Sequence, residues 1–589
     1  MAVQEFRIRC VVFCLALSGC GGSIATNSDP GSQPPPPPKP AITVTNPVYA
    51  IAGGPSFALQ VVGSNFTRNS EVQWNDVAIA TEFESSQFLN LMVDNARIPT
   101  PGSAQITVRD SSTGTISDKY TFNILPAAAA TAGFAQLITI APDGSAANGD
   151  SMVAASISST GRFVAFQSPA TNLGVGASNG RQQIYLRDTC IGADAECVPT
   201  TRLASGTYDG TPPDGHSLAS AVSDDGRFVA FDSTASNILP GTGECGIKIS
   251  CVYLRDTCTG AGDGCEPATI LISKDSDGTP FPAALPSMTP SGRFISMSGA
   301  ITPNVVQSVV YDSCYGAPPE CSRNLKIYSL NVVGQPGNEN SLGQQLTPDG
   351  RFAAFVTFST NMQDPTAPAD SSYQKLELRD TCLAVSSVCT PTTIRGDVSS
   401  RGTPNNGNLA YDASASVSKT GRYLAFAADF TATNLVSEDV QGHGNVYLRD
   451  TCIGTVNGCT PSTQLVSRAT GGAIGNGGSK YQSLSADGRY VVFESIATNL
   501  VPFDSFPAES RKEVYGRDTC AGAPTACTPS TVRLAVTNQP APLTPADNMS
   551  WYPVISAGGH YLVFLSSASN FIPSANVRHT MVYLAKTGF

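Results

Sequence analysis

Val446-Tyr-Leu-Arg-Asp-Thr-Cys452, followed by Cys459 and Ser462-Thr-Gln-Leu-Val-Ser467, decides the fold of this chain. It reads as a strand, a turn closed by two cysteines, and a second strand. Near-copies run from Tyr185 to Cys190 with Cys197, Tyr253 to Cys258 with Cys265, Leu378 to Cys382 with Cys389, and Tyr515 to Cys520 with Cys527. A more diverged copy is Tyr311-Asp-Ser-Cys314 with Cys321. Recurrence at this period sets the architecture before any single motif does.

A second mark, a turn followed by a strand, interleaves with the first. Its copies are Gly161-Arg-Phe-Val-Ala-Phe166, Gly226–Phe231, Gly292–Met297, Gly350–Phe355, Gly421–Phe426, Gly488–Phe493 and Gly558–Phe564, the last with Gly559 inserted and His560 in place of Arg. Each unit then holds four short strands, and seven units of four strands predict a seven-bladed β-propeller. Ala135-Gln-Leu-Ile-Thr-Ile140 matches the fourth strand of other units, while the last unit stops at a third strand, Met581–Ala585. The first strand of the domain is therefore expected to complete the last blade, closing the ring and leaving no open edge. That would also explain why the seventh unit alone lacks a cysteine pair.

Of seventeen cysteines, Cys10, Cys14 and Cys20 lie near the N-terminus and the other fourteen form seven close pairs. Six pairs are spaced Cys-x6-Cys, which matches no common zinc pattern. The expected disulfides are Cys190–Cys197, Cys245–Cys251, Cys258–Cys265, Cys314–Cys321, Cys382–Cys389, Cys452–Cys459 and Cys520–Cys527. Their presence requires an oxidising compartment. A net charge of -11 argues against nucleic acid as a partner, because no basic stripe exists to neutralise phosphates.

Arg7 and Arg9 precede the apolar run Cys10–Leu17, the layout of an export signal. The run ends in Leu17-Ser-Gly-Cys20, which resembles the lipobox of bacterial lipoproteins. The resemblance implies a signal peptide at 1–19, lipidation of Cys20, and an anchor in the cell envelope on its periplasmic or surface side. Gly21 rather than Asp leans the sorting toward the outer membrane. Residues 20–40, with the run Pro34–Pro38, then form an extended tether.

Residues 41–125 show short alternating strands separated by turns. Pro47, Gly53-Gly54, the turn Val62-Gly-Ser-Asn-Phe66, Trp74 and Gly102 resemble an IPT/TIG immunoglobulin-like domain. Phe66 and Trp74 are expected in its core, with Trp74 as an exposed ligand platform the alternative. A linker follows at 126–132, and 133–589 is the propeller. The fold class is thus all-β: an Ig-like β-sandwich, then a propeller with disulfide-stapled hairpins and closure between its two terminal strands. Its units, with Ser-x-Asp-Gly-Arg-Tyr-Val-x-Phe before Tyr-Leu-Arg-Asp, resemble TolB-like propeller repeats of bacterial envelopes. Relatives often carry a calcium loop before the third strand. Here Val175–Gly180, Glu438–Asn445 and Phe503–Glu509 have lost most of the oxygen ligands a hard cation needs. Calcium is the one ion those loops could still take, and no other cofactor is expected.

Residues that recur in every blade, such as Arg449-Asp450, are expected to be structural, because a site is one place. Function is expected among the variable second-to-third and fourth-to-first loops, which share one face. The candidate ligand-binding residues there are His216, Tyr373, His443, Phe503, Arg511, Trp551 and Tyr552. Ser416-Val-Ser-Lys419 imitates a nucleophile motif but fills a repeat slot, and no other catalytic motif appears. The expectation is a monomeric, non-catalytic, lipid-anchored propeller that binds an envelope protein or glycan. A purely structural surface protein is one alternative. A polysaccharide hydrolase or lyase using Asp214, Glu438, Asp439, Asp504 and Glu509 is the other.

Overall fold

The computed structural model describes residues 38–589 except 47–48, 52–55, 101, 126–134, 175–179, 195, 242–244, 247–248, 303–304, 367–372, 384–388, 411–414, 441, 456–457, 502–510, 524–526, 537–544 and 572–578. The export signal, Cys20, nearly all of the tether, the linker and Phe503 lie outside the described residues. Among the described residues there is no α-helix, and no helix long and apolar enough to cross a membrane.

Between Ala41 and Leu125, a four-stranded and a five-stranded sheet share one apolar core. Six longer strands form here, in keeping with the alternation read from sequence, and three short ones, Tyr49–Ile51, Val77–Ile79 and Thr81–Phe83, add to them. Trp74 is 2 % exposed and its ring lies 5.1 Å from that of Phe122, so it is core and not a ligand platform. Phe66 is buried beside it, as expected.

From Ala135 onward the strands form seven four-stranded antiparallel sheets. Their first strands are Ser156–Ile157, Ser217–Val222, Ala283–Met288, Ser341–Leu346, Ser416–Val417, Ser479–Leu484 and Ser550–Ile555, which name sheets one to seven below. Each first strand adjoins the next, and the seventh returns to the first. This is the topology of a β-propeller. The seventh sheet takes its fourth strand, Ala135–Leu137, from the other end of the ring, paired antiparallel with Met581–Lys586 (Leu137 opposite Tyr583). The ring closes as expected.

Packing between sheets repeats as faithfully as pairing within them. The turn glycine of each sheet (Gly161, Gly226, Gly292, Gly350, Gly421, Gly488, Gly559) sits at positive φ. A Cβ there would overlap an aromatic ring of the preceding sheet, and the series ends with Gly161 on Tyr561 of the seventh. Here Gly559 takes the turn and Gly558 stands where other units carry the residue before it, so Gly558 is a replacement in register and Gly559 is not an insertion. Within sheets, Phe166 stacks on Tyr185, Phe231 on Tyr253, Phe426 on Tyr447, Phe493 on Tyr515 and Phe564 on Tyr583, at 5.6–6.0 Å. Such pairs add about 0.5–1.5 kcal/mol each to what burial supplies.

All seven disulfides are present as paired in the sequence, and the seventh sheet has none. One departure from the repeat has a local cause. Gly516 stands where Leu186, Leu254 and Leu448 stand in other sheets, and a Cβ there would lie 2.7 Å from Leu534 Cδ1 and 3.0 Å from the Phe589 ring. Phe589 stacks flat on Tyr490 at 4.6 Å. Gly516→Leu should push Phe589 off Tyr490 and destabilise the protein by about 1–3 kcal/mol, the usual range for overpacking. Denaturant unfolding reads this directly; an unchanged midpoint would show that the glycine makes no room.

Candidate functional site

The recurring residues are scaffold. In sheets one to six, the arginine after the turn glycine forms a two-point ion pair with the aspartate ending the third strand. Arg422 donates from Nε and Nη2 to Asp450 at 2.9 and 2.7 Å, and its guanidinium lies 4.7 Å over the Tyr423 ring. Asp450 also accepts the Cys452 backbone N–H at 2.8 Å, tying the turn to the cystine hairpin. Such Asp–Cys–Cys clusters, among them Asp188–Cys190–Cys197 and Asp450–Cys452–Cys459, are compact enough to suggest a metal. Their sulfurs are joined in disulfides, however, and offer no thiolate.

The other arginine of the repeat holds neighbouring sheets together. Arg449 Nη1 donates to Ser399 O of the preceding sheet and to Thr463 Oγ1 at 3.1 and 3.2 Å. Arg379 and Arg517 do the same with Asn331 O and Arg468 O. Ser416, the nucleophile position of the imitated motif, lies in the first strand of sheet five and accepts the Leu484 N–H, and Ser418 Oγ accepts the Tyr423 N–H as Ser223 and Ser485 do for Phe228 and Tyr490, so the motif is repeat scaffold.

Among the described residues, no hydrogen bond or ring contact joins the candidates His216, Tyr373 and His443 on the opposite, variable-loop side. His216 bridges loops, accepting the Gln182 N–H at Nδ1 and binding Thr234 through its backbone. Tyr373 is 51 % exposed, with its carbonyl on Lys375. His443 is half-buried, its carbonyl taken by Asn445. Trp551 and Tyr552 lie not in a loop but in the first strand of sheet seven, whose register shifts between Trp551 and Val554. The bulge adds a residue to the inner strand, which moved this pair out of the loop expected from sequence. Of the carboxylates considered for hydrolysis, Asp214 holds Ser236, and Glu438 pairs with Arg468 at 2.8 Å. Asp504 and Glu509 lie outside the described residues.

The structure does assemble one cluster, where sheets six and seven meet at the inner ring. Five first strands carry such a register shift, and the residue inside it takes positive φ at Leu285, Tyr481 and Tyr552 (φ 55, 50 and 52). Bulky residues rarely adopt that conformation. Tyr481 and Tyr552 meet edge to face with centroids 4.5 Å apart. Lys480 Nζ lies 4.5 Å over the Tyr481 ring. Beneath them, Glu494 accepts the Tyr552 N–H at 3.4 Å, and Lys512 Nζ lies 3.6 Å from its Oε1. Burial pushes the Glu494 carboxyl up, while Lys512 and Lys480 hold it down. The same strand position in sheet two, Asp232, is bonded to the Leu218 and Ala219 N–H groups. Glu494 has lost that pattern and gained two lysines.

Two further acids were passed over in the sequence because they sit inside strands. Glu377 occupies the slot of Tyr185 and Tyr447, opposite Phe355, beside Arg395 and Asp397. Burial first, and Asp397 second, push its carboxyl up to about 8. Glu513 occupies the slot of Gln183 and Gln307; among the described residues neither carboxyl oxygen has a hydrogen-bond partner, and burial pushes it up to about 8. Aligning the repeats residue by residue would have exposed both. Glu377 is fully enclosed and has no route to a ligand.

No protein-family model matches this chain, and no curated protein does. Solved structures similar to it include a putative TolB from Agrobacterium tumefaciens (12 % identity, 66 % of this chain and 94 % of that one, TM-score 0.31). The β-propeller domain of Swd1 from Myceliophteria thermophila is similar at 12 % identity, covering 75 % and 98 %, with a TM-score of 0.35. The β-propeller domain of the Trilobed protease from Pyrococcus furiosus is similar at 10 % identity, covering 74 % and 96 %, with a TM-score of 0.35. Likeness at this level leaves open what the present chain binds, which rests on its own residues.

Proposed function

We propose that this is a lipid-anchored envelope protein that binds rather than transforms its ligand. In this reading residues 133–589 are a seven-bladed propeller of TolB-like kind, residues 41–125 an IPT/TIG-like spacer, and Cys20 the lipid attachment point. The ligand is an envelope protein or glycan, taken at the inner mouth between sheets six and seven. The repeat residues, the lipobox-like Leu17–Cys20 and the disulfides support the setting.

One observation carries the site. Tyr481 and Tyr552 are both held at positive φ, in contact with each other, over a buried carboxylate flanked by lysines. Backbone strain of this kind costs about 1–3 kcal/mol per residue and persists where the surroundings impose it, often at binding sites. Aromatic rings beside charged groups suit a sugar ring or a peptide side chain. Asp214 and Glu438, engaged by Ser236 and Arg468, weigh against the hydrolase alternative.

The test is capture from an envelope extract by immobilised residues 21–589, with and without Tyr481→Ala/Tyr552→Ala. The double variant should keep its thermal midpoint within a few degrees and lose at least about tenfold in retention, as for loss of a central aromatic contact. Retention equal to wild type would remove the site. Protease treatment of the extract tells a protein ligand from a glycan.

A further inference from the structure

In sheets three and seven the residue after the hairpin's first cysteine, or after the glycine in its place, rests on the aromatic ring that begins the second strand of the preceding sheet. Ile191, Thr259, Tyr315, Leu383, Ile453 and Ala521 follow their cysteines, and Phe589 follows Gly588 at the same place in sheet seven. Two of the seven are aromatic. Tyr315 packs edge to face on Phe228 at 4.6 Å, and its hydroxyl accepts from Arg227 Nη1 at 3.2 Å, with the guanidinium 5.0 Å over the ring. Phe589 stacks flat on Tyr490 at 4.6 Å. Ala521 is the smallest of the set, and where it stands a cavity of about 220 Å³ opens between sheets five and six, lined by Arg422, Tyr423, Asp450, Gln464, Ala521 and Gly522 among others.

We propose that this cavity receives a tyrosine side chain from a protein partner, reproducing from outside what Tyr315 does from within. Arg422 spends Nε and Nη2 on Asp450, like Arg227 on Asp256, and its Nη1 has no partner among the described residues. That N–H is left to donate to a phenol oxygen, while the Tyr423 ring supplies the edge-to-face surface. The volume falls below the roughly 300–1,000 Å³ of pockets that hold whole ligands, and suits one ring. The lining is mostly polar, which favours a phenol over a plain phenyl group. The site lies on the hairpin face, away from Tyr481 and Tyr552, and stands or falls independently of them.

The experiment uses N-acetyl-L-tyrosinamide and N-acetyl-L-phenylalaninamide as probes on residues 21–589, read by saturation-transfer NMR. Wild type should give a tyrosinamide signal at least about threefold above the phenylalaninamide one. Ala521→Tyr should fill the cavity from within, abolish that signal and raise the thermal midpoint by a few degrees. Ala521→Ile, which copies Ile191 and Ile453, should reduce the signal without harming the fold. Equal signals from both probes, an undiminished signal in Ala521→Tyr, or an undiminished signal in a folded Ala521→Ile protein would each overturn the proposal.

Discussion

Full reduction of the seven disulfides should leave the propeller unfolded at 37 °C. Each Cys-x6-Cys hairpin closes a loop of about eight residues, which by chain entropy is worth roughly 2.5 kcal/mol. The loops do not overlap in sequence, so six of them sum to about 15 kcal/mol at most, as large as the whole stability of an ordinary domain. The backbone adds a reason of its own. Cys190, Cys258, Cys314, Cys382, Cys452 and Cys520 all sit at φ between 57° and 61°, where a side chain is strained, and the seventh sheet, lacking a disulfide, has Gly588 there at φ 78°. The position demands a left-handed residue, and the chain uses either a cysteine held by its bond or a glycine. Calorimetry with and without a phosphine reductant checks this, with thiol titration confirming fourteen free sulfurs. Cys452→Ser/Cys459→Ser alone should cost about 2.5 kcal/mol, and Cys452→Gly/Cys459→Ser less. A fully reduced protein with an unshifted midpoint would refute the argument.

Stability should also fall as pH rises from about 4.5 to 8, and Glu513→Gln should remove much of that fall. Glu513 has its carboxyl raised from 4.5 to about 8 by burial, opposed by the charge of Arg511. A raised carboxyl binds its proton more tightly when folded. Its contribution is therefore fully present below the unfolded value, near 4.5, and lost as pH climbs through 8. Since each tenfold gain in proton affinity is worth about 1.4 kcal/mol, the loss approaches about 4–5 kcal/mol as an upper figure. Glutamine already fills this slot at Gln183 and Gln307, where it accepts Ser205 and Ser329 hydroxyls and donates to Gly215 and Gly337 carbonyls. Glu513→Gln should thus match wild type near pH 4.5 and exceed it by several degrees in midpoint at pH 8. Thermal melts across that range decide it; an equal pH slope in both proteins would show that Glu513 ionises freely.

Much of this was legible in the sequence because the repeats report the same physics many times over. A glycine where a turn meets a neighbouring ring, and cysteines seven residues apart, can be read without a structure. Ring closure was legible because Ala135–Ile140 is a fourth strand without a third before it. Other features were hidden by register. An inner-strand bulge shifts one residue and leaves no special residue type behind, so Trp551 and Tyr552 read as loop and Tyr481 was not singled out. The ion pair between Arg422 and Asp450 joins two marks that the sequence shows separately. Glu377, Glu494 and Glu513 looked like ordinary strand residues, and only comparison with Tyr447, Asp232 and Gln183 in their own slots shows them to be departures.

Recurring residues build the ring, and in the proposed reading the departures at sheets six and seven take the ligand. Hydrogen–deuterium exchange on residues 21–589, free and saturated with the captured ligand, tests it most directly. The account predicts new protection at Ser479–Leu484 and Ser550–Ile555, with the cystine hairpins unchanged. Protection confined to the hairpins, with both inner strands exchanging as before, would contradict it.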